Sequence, residues 1–233
     1  VKDKSGNGGA LVRRTAGASR CRNGIFLGSG GGVGLFDQFE DADVRVLVEQ
    51  FPLAWVCGGP VDRLEASLLP LVGRFDTEGR LVELIGHLMR SNPLYRVLAA
   101  DGRATILFTG PDAYVSPEHA GIRNWAPTWN FAQVKIGAQI DFDNALTETS
   151  LGMLIDAMEA GRPEPWRVEE LGERYRAMLG RIIGFRATVT SVSGKFKLGQ
   201  DETGDTLAAI LEAHPDAEIT AWMRRFNKGR AGW

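Results

Sequence analysis

Cysteine is close to absent from this chain, and the shortage excludes two common ways of building a protein. Cys21 and Cys57 are the two cysteines in 233 residues, with no paired spacing suited to zinc or to a disulfide framework. The expectation is a protein of the reducing cytoplasm. A surplus of charge of one sign is missing as well: 27 Lys and Arg stand against 29 Asp and Glu, a formal net charge of −2. No field of the whole chain would draw it onto nucleic acid or an anionic membrane, so any DNA contact needs a local patch. No apolar run approaches the roughly 18 to 20 residues that span a bilayer. The first residues also lack a signal peptide's order of basic, long apolar and small-residue regions. Neither export nor membrane insertion is expected, and no internal repeat is visible.

A complete nucleotide-binding loop is missing too. "GIFLGSGGGVG", residues 24–34, runs a short apolar segment into glycines, as loops that cradle a phosphate with backbone N–H groups do. Counted from Gly28, the dinucleotide pattern requires a glycine where Val33 stands, although the looser spacing Gly28, Gly30, Gly34 is present. No Lys-Ser or Lys-Thr follows to make a P-loop, and the next segments read as a helix and short antiparallel strands instead of a parallel βαβ unit. Residues 1–34, rich in Gly, Arg, Ser and Lys, therefore read as a poorly ordered extension.

What is present starts at Phe36, and 44% hydrophobic residues are enough for a sizeable core. "EDADVRVLVEQF" opens acidic and places Val44, Leu47, Val48 and Phe51 on one helical face. "LAWVC", "EASLLPLV", "RLVELIGHL", "RATILFTG" and "WNFAQVKIGAQIDF" are β-rich and divided by turn residues, which suits an antiparallel sheet or barrel. "SNPLYRVLAADG" is a short helix with a Ser or Asn cap, Pro93 in its first turn and Gly102 after its end. "NALTETSLGMLIDAME" reads as a helix ended by Gly161, and "PEPWRVEELGERYRAMLGRIIG" as a second one entered through prolines. "FRATVTSVSGKFKL" returns to alternation, and "DTLAAILEAH" and "EITAWMRRF" close the chain as helices. The class is α+β, a β-rich body with packed helices and a helical C-terminal region.

Three clusters carry polar chemistry. In "GHLMRSNPLYRVL" a strand with Gly86 and His87 turns through Arg90, Ser91 and Asn92 into a helix start. A guanidinium, a hydroxyl and helix N-terminal N–H groups suit a phosphate, and the same residues suit ordinary capping. "WAPTWNF", residues 125–131, places two tryptophans at a strand start, a pattern that also serves a core. In "SGKFKLGQD", alternation sends Lys195 and Lys197 to one face, where either an anion or solvent would relieve their repulsion.

In order and spacing, "LLPL", "GHLMRSNPLYRVL", "FTGPDAYVSPEHA", "PTWNF", "GRPEPWRV" and "GKFKLGQ" resemble the PaiB-like family of FMN-binding proteins, often labelled negative transcriptional regulators. The resemblance runs from about Phe36 to Asn227 and divides the chain into an extension (1–34), an FMN-binding split-barrel domain (35–227) and a tail (228–233). It implies a homodimer with FMN held at the subunit interface. On this sequence it makes His87, Arg90, Ser91 and Asn92 candidates for the phosphate and ribityl end. Thr128, Trp129 and Asn130 would line the flavin, and Lys195, Lys197 and Gln200 would approach from the other side of the groove, from the partner subunit. The family usually places Asn or His before "LPL" and Ser in "KFKLSQ". Here Ser67 or Leu68 and Gly199 stand there, and each lost hydrogen bond weakens affinity by about 0.5 to 1.5 kcal/mol.

Beyond cofactor binding, the resemblance implies a regulator sensing flavin or redox state. One alternative is a flavin-dependent oxidoreductase, for which His87, Tyr114, His119 and Arg123 are available without forming a recognisable triad. Another is a haem-binding protein on the same scaffold, short of ligands with three histidines. Direct DNA binding would fall to Arg224, Arg225, Lys228 and Arg230, a small basic patch on a nearly neutral chain.

Overall fold

Alternation of apolar and polar residues, clearest in β-rich segments 103–115 and 128–143, gives one sheet the inner face on which it closes. The computed structural model describes residues 34–230, so the reading of residues 1–34 falls, Gly34 apart, outside the described residues. The strands are β1 (Leu53–Gly58), β2 (Glu65–Phe75), β3 (Leu81–Met89), β4 (Arg103–Val115), β5 (Thr128–Asp143) and β6 (Ile182–Lys197). They form a closed barrel in the order β1-β2-β3-β6-β5-β4, with every neighbouring pair antiparallel. Every second residue points inward: Ala54 and Val56, Ile106 and Phe108, Val134 and Ile136, Phe185 and Ala187 are buried. The fold is the α+β split barrel, with packed helices and a helical C-terminal region.

Helices cover part of the barrel. α1 (Asp41–Gln50) is held at its start by a capping box between Glu40 and Asp43, and it buries Val44, Leu47 and Val48. α2 (Pro93–Ala100) seats Leu94 and Leu98 over Gly58, where an added Cβ would lie 2.4 Å from Leu98 Cδ2. α3 (Pro117–Ala120) is a single turn. α4 (Ala145–Glu159) lies on β6, β3 and β2. Its fully buried residues are the polar Thr147 and Ser150, and Thr147 Oγ1 accepts the Gly184 N–H at 3.0 Å.

The helix expected across "PEPWRVEELGERYRAMLGRIIG" is not continuous. A 3₁₀ turn at Val168–Leu171 stops at Gly172, whose φ of 56° leaves the helical region, and α5 covers Arg174–Leu179 only. Neither piece buries a residue, so no packed face enforces one long helix. α6 (Gly204–Ala213) and α7 (Ala217–Phe226) close the fold, and Trp222 and Phe226 of α7 stack on Phe196 of β6. None of the described helices is long and apolar enough to cross a membrane.

Candidate functional site

The sequence-derived residues gather at two places. The first is the turn from β3 into α2. Arg90 donates its N–H to Arg181 O at 2.9 Å, and Asn92 donates its N–H to Met89 O at 2.9 Å, which fixes the turn. Asn92, not Ser91, caps the helix: its Oδ1 accepts from Leu94 N at 3.0 Å and its carbonyl from Tyr95 N at 3.0 Å. Pro93 has no N–H to offer. The helix N–H groups read as phosphate donors are therefore spent on the cap.

Ser67, 25 residues earlier in sequence, exchanges hydrogen bonds with Asn92, receiving from Nδ2 at 2.9 Å and donating to Oδ1 at 3.2 Å. Arg90 and Ser91 remain exposed. The Arg90 Nη2 donates to Asn144 Oδ1 at 2.5 Å, and no carboxylate pairs with this guanidinium among the described residues. His87 lies beside Gly184 on the neighbouring strand, next to the first turn of α4. Its Nδ1 is buried without a partner among the described residues, and desolvation holds its pKa below the ordinary value.

The second place is the far end of β5 and β6. Lys195 and Lys197 share the outer face of β6 with buried Phe196 between them, as alternation requires. Asp37 relieves Lys195 at 3.2 Å. Lys197 has no carboxylate partner among the described residues: its Nζ donates to Thr128 Oγ1, reaches Trp129 O at 3.4 Å and stands 5.8 Å from the Phe36 ring centroid. A cavity of about 330 Å³ opens beside it, lined by Trp125, Pro127, Thr128, Lys197, Asp201 and Glu202. The Trp125 indole donates to Glu202 Oε2 at 3.1 Å. Trp129 is 55% exposed, with its edge against Tyr114, so it is surface and not core.

Two candidates are occupied elsewhere. Asn130 is 2% exposed and points inward, its Nδ2 3.4 Å from Met223 Sδ. Gln200 spends both ends of its amide on a turn, donating to Phe196 O at 2.6 Å and accepting from Leu198 N at 2.7 Å. Gly199 within that turn has a φ of +86°, a conformation that a serine there would adopt only with strain.

Within one chain the two places do not meet. His87 is level with Gly184 at one end of the β5–β6 ladder, and Lys197 pairs with Phe131 at the other. From Gly184 to Lys197 the strand runs about 43 Å, at roughly 3.3 Å per residue. Of the histidines offered to an oxidoreductase, His119 is engaged in a structural contact. His119 and His214 meet edge to face at 4.7 Å, His119 Nδ1 accepts from Ser116 N, and His214 Nδ1 accepts from Asp216 N. They clasp α3 to the α6–α7 connection. Much of the basic C-terminal group is also engaged: Arg224 on Leu211 O, Arg225 on Asp43, and Arg230 on Gly199 O and Glu202 O.

Sequence reasoning missed Asn144, Asp37, Phe36 and the Asp201–Glu202 pair. Asn144 reaches Arg90 across 54 residues of sequence, so no local pattern announces it.

A six-stranded antiparallel split barrel with a cationic group at each end of one ladder is the class of protein that these features define. The chain belongs to the family described as "Putative FMN-binding domain", which it matches over residues 35–191. It is similar to the Protease synthase and sporulation protein PAI 2 of Bacillus subtilis (strain 168), at 26% identity over 151 residues, covering 63% of this chain and 70% of that protein. Among solved structures it resembles the FAD and heme binding protein from Mycobacterium smegmatis, with a TM-score of 0.51 and 18% identity over 72% of this chain and 77% of that one. A conserved hypothetical protein from Mycobacterium tuberculosis is similar at a TM-score of 0.50 and 11% identity, over 70% of this chain and 89% of that one. At these identities the structural likeness concerns the fold.

Proposed function

We propose that this chain is a cytoplasmic FMN-binding flavoprotein that acts as a homodimer, with the Arg90 end of one copy and the Lys197 end of the other closing on one cofactor. The observation that carries the reading is that Arg90 and Lys197 are each steadied by a neutral group, Asn144 and Thr128, and stand at opposite ends of β6. Arg90, with most of its donors open, and the Ser91 hydroxyl take the phosphate by charge-assisted hydrogen bonds. Asn92 and Ser67 keep that turn rigid. Lys197 and Thr128 offer an ammonium and a hydroxyl to the acceptor edge of a flavin ring, and Trp129, with Trp125 beside it, offers indole surface to its plane.

An exposed apolar row, Leu68 on Trp55 on Leu107 in register across β2, β1 and β4, supports a second copy as the partner. A bound flavin supplies electron-transfer chemistry that no side chain here offers. The resemblance to PaiB-like proteins, often labelled negative transcriptional regulators, leaves a regulatory role as the second reading. Because Arg224, Arg225 and Arg230 are tied inward, such a role would run through flavin state or a protein partner instead of a DNA-reading helix.

The test is titration of the purified protein with FMN and with riboflavin, followed by flavin fluorescence, alongside light scattering. Saturable FMN uptake by a species of dimer mass is expected. A protein that is colourless, changes no flavin fluorescence and runs as a monomer contradicts the reading.

A further inference from the structure

We infer that Asn144 is a positioning residue for the anion site, orienting the Arg90 guanidinium without cancelling its charge. The inference rests on the flavin reading above and concerns how its phosphate end is kept ready. Asn144 stands between β5 and α4, where an asparagine usually caps the helix, yet its side chain makes no capping bond. Its neighbour serves instead: Asp143 Oδ1 accepts the Ala145 N–H at 2.8 Å. The Asn144 amide is thereby left for a distant partner, and its Oδ1 accepts from Arg90 Nη2 at 2.5 Å.

Arg90 is gripped from two sides of the same excursion. The residue before α4 holds its guanidinium, and Arg181, after α5, accepts its backbone N–H at 2.9 Å. A guanidinium carries five N–H donors in a planar fork, so one amide oxygen tethers one arm of it and leaves the others for a phosphate. A carboxylate at the same point would hold the fork more tightly but would also neutralise it and compete with the ligand. The one carboxylate adjacent in sequence, Asp143, is committed to the helix start. An amide at residue 144 is therefore the choice that orients without competing.

The experiment measures FMN and riboflavin affinity on the full chain for wild type, Asn144→Ala, Asn144→Asp, Arg90→Ala and the Arg90→Ala/Asn144→Asp double variant, with thermal melts of each. Asn144→Ala should weaken FMN about 2- to 10-fold through loss of one hydrogen bond, with riboflavin unchanged. Asn144→Asp should weaken FMN about 10- to 100-fold by pairing with Arg90, again with riboflavin unchanged. On the Arg90→Ala background the aspartate should add little beyond its repulsion of the phosphate, because the pair it exploits is gone.

If Asn144→Asp does not fold, the FMN-selective loss in Asn144→Ala carries the test. Equal losses of FMN and riboflavin, or equal FMN affinities for the wild type and both variants, overturn the assignment while leaving the flavin reading intact. A wild type that binds neither flavin overturns both together.

Discussion

The two ends of the β5–β6 ladder solve opposite problems with similar charges. At the α2 end, a tight turn consumes most of its own polar groups: Asn92 serves as cap and as partner of Ser67, Pro93 has no donor, and Arg90 and Ser91 project, the arginine steadied by a neutral amide. At the far end the backbone is regular strand, and the polar groups are sorted by alternation and burial. Lys195 is matched by Asp37, Phe196 is locked under α7, and Lys197 is held by a hydroxyl, a carbonyl and an aromatic face beside a cavity. One end keeps its cation available through turn geometry, the other through strand register. A charge becomes available for a ligand only where the fold provides orientation without an opposite charge.

The far end is most vulnerable at its core. Phe196 is fully buried and stacks on Trp222 and Phe226. Phe196→Ala should cost about 3 to 5 kcal/mol in denaturant unfolding, and it should loosen the strand that carries Lys197. At the other end, a Cβ on Gly184 would lie 2.6 Å from the Leu146 carbonyl and 2.7 Å from Thr147 N. Gly184→Ala must therefore displace the first turn of α4, at about 1 to 3 kcal/mol in the same assay, and FMN affinity should fall with it because Asn144 moves. An unchanged melting curve for Gly184→Ala would mean that α4 is not seated there.

A ligand-directed change follows in size. Arg90→Ala should weaken FMN by about 1.5 to 3 kcal/mol through loss of a charge-assisted contact and leave riboflavin nearly unaffected. Equal losses for the two ligands would assign Arg90 to the fold. Smaller still is a pH effect at His87. Its folded pKa lies below the ordinary 6.5 because burial disfavours the imidazolium, so the unfolded chain takes up the proton first. Stability should be full above about pH 6.5 and should decline as pH falls below it. His87→Gln should flatten the melting temperature between about pH 7 and pH 5 relative to wild type; identical slopes would show that the ring is not desolvated. The smallest effect belongs to Lys195→Ala, which removes a half-exposed pair with Asp37 and should change stability by about 0 to 1 kcal/mol. It should also leave FMN affinity unchanged.

The strands and the α2 boundaries were legible because each rests on a local rule: alternation for the barrel, and Asn-Pro punctuation for the helix start. The break at Gly172 escaped because strong helix formers, Glu, Arg, Leu, Ala and Met, stand on both sides of a glycine that no packed face holds in a helix. At the site, residue types were readable and their commitments were not. Asn130 and Gln200 look like open amides in sequence, yet one faces Met223 and the other closes a turn on its own backbone. Strand phase relative to the barrel interior decides the first, and a positive φ at Gly199 shapes the turn that decides the second. Asn144 and Asp37 had no signal, since their partners lie on other elements far along the chain.

Subunit mixing tests whether one flavin draws Arg90 from one copy and Lys197 from the other. Arg90→Ala and Lys197→Ala proteins, each weakened for FMN, are unfolded together, refolded as a mixture and titrated with FMN. If the two residues come from different chains, each mixed dimer regains one intact site, and about a quarter of all sites should recover wild-type affinity after random exchange. Refolding each variant alone should recover none. A mixture that binds no better than the average of its two parents, in a sample shown by mass to contain mixed dimers, would contradict the two-chain site.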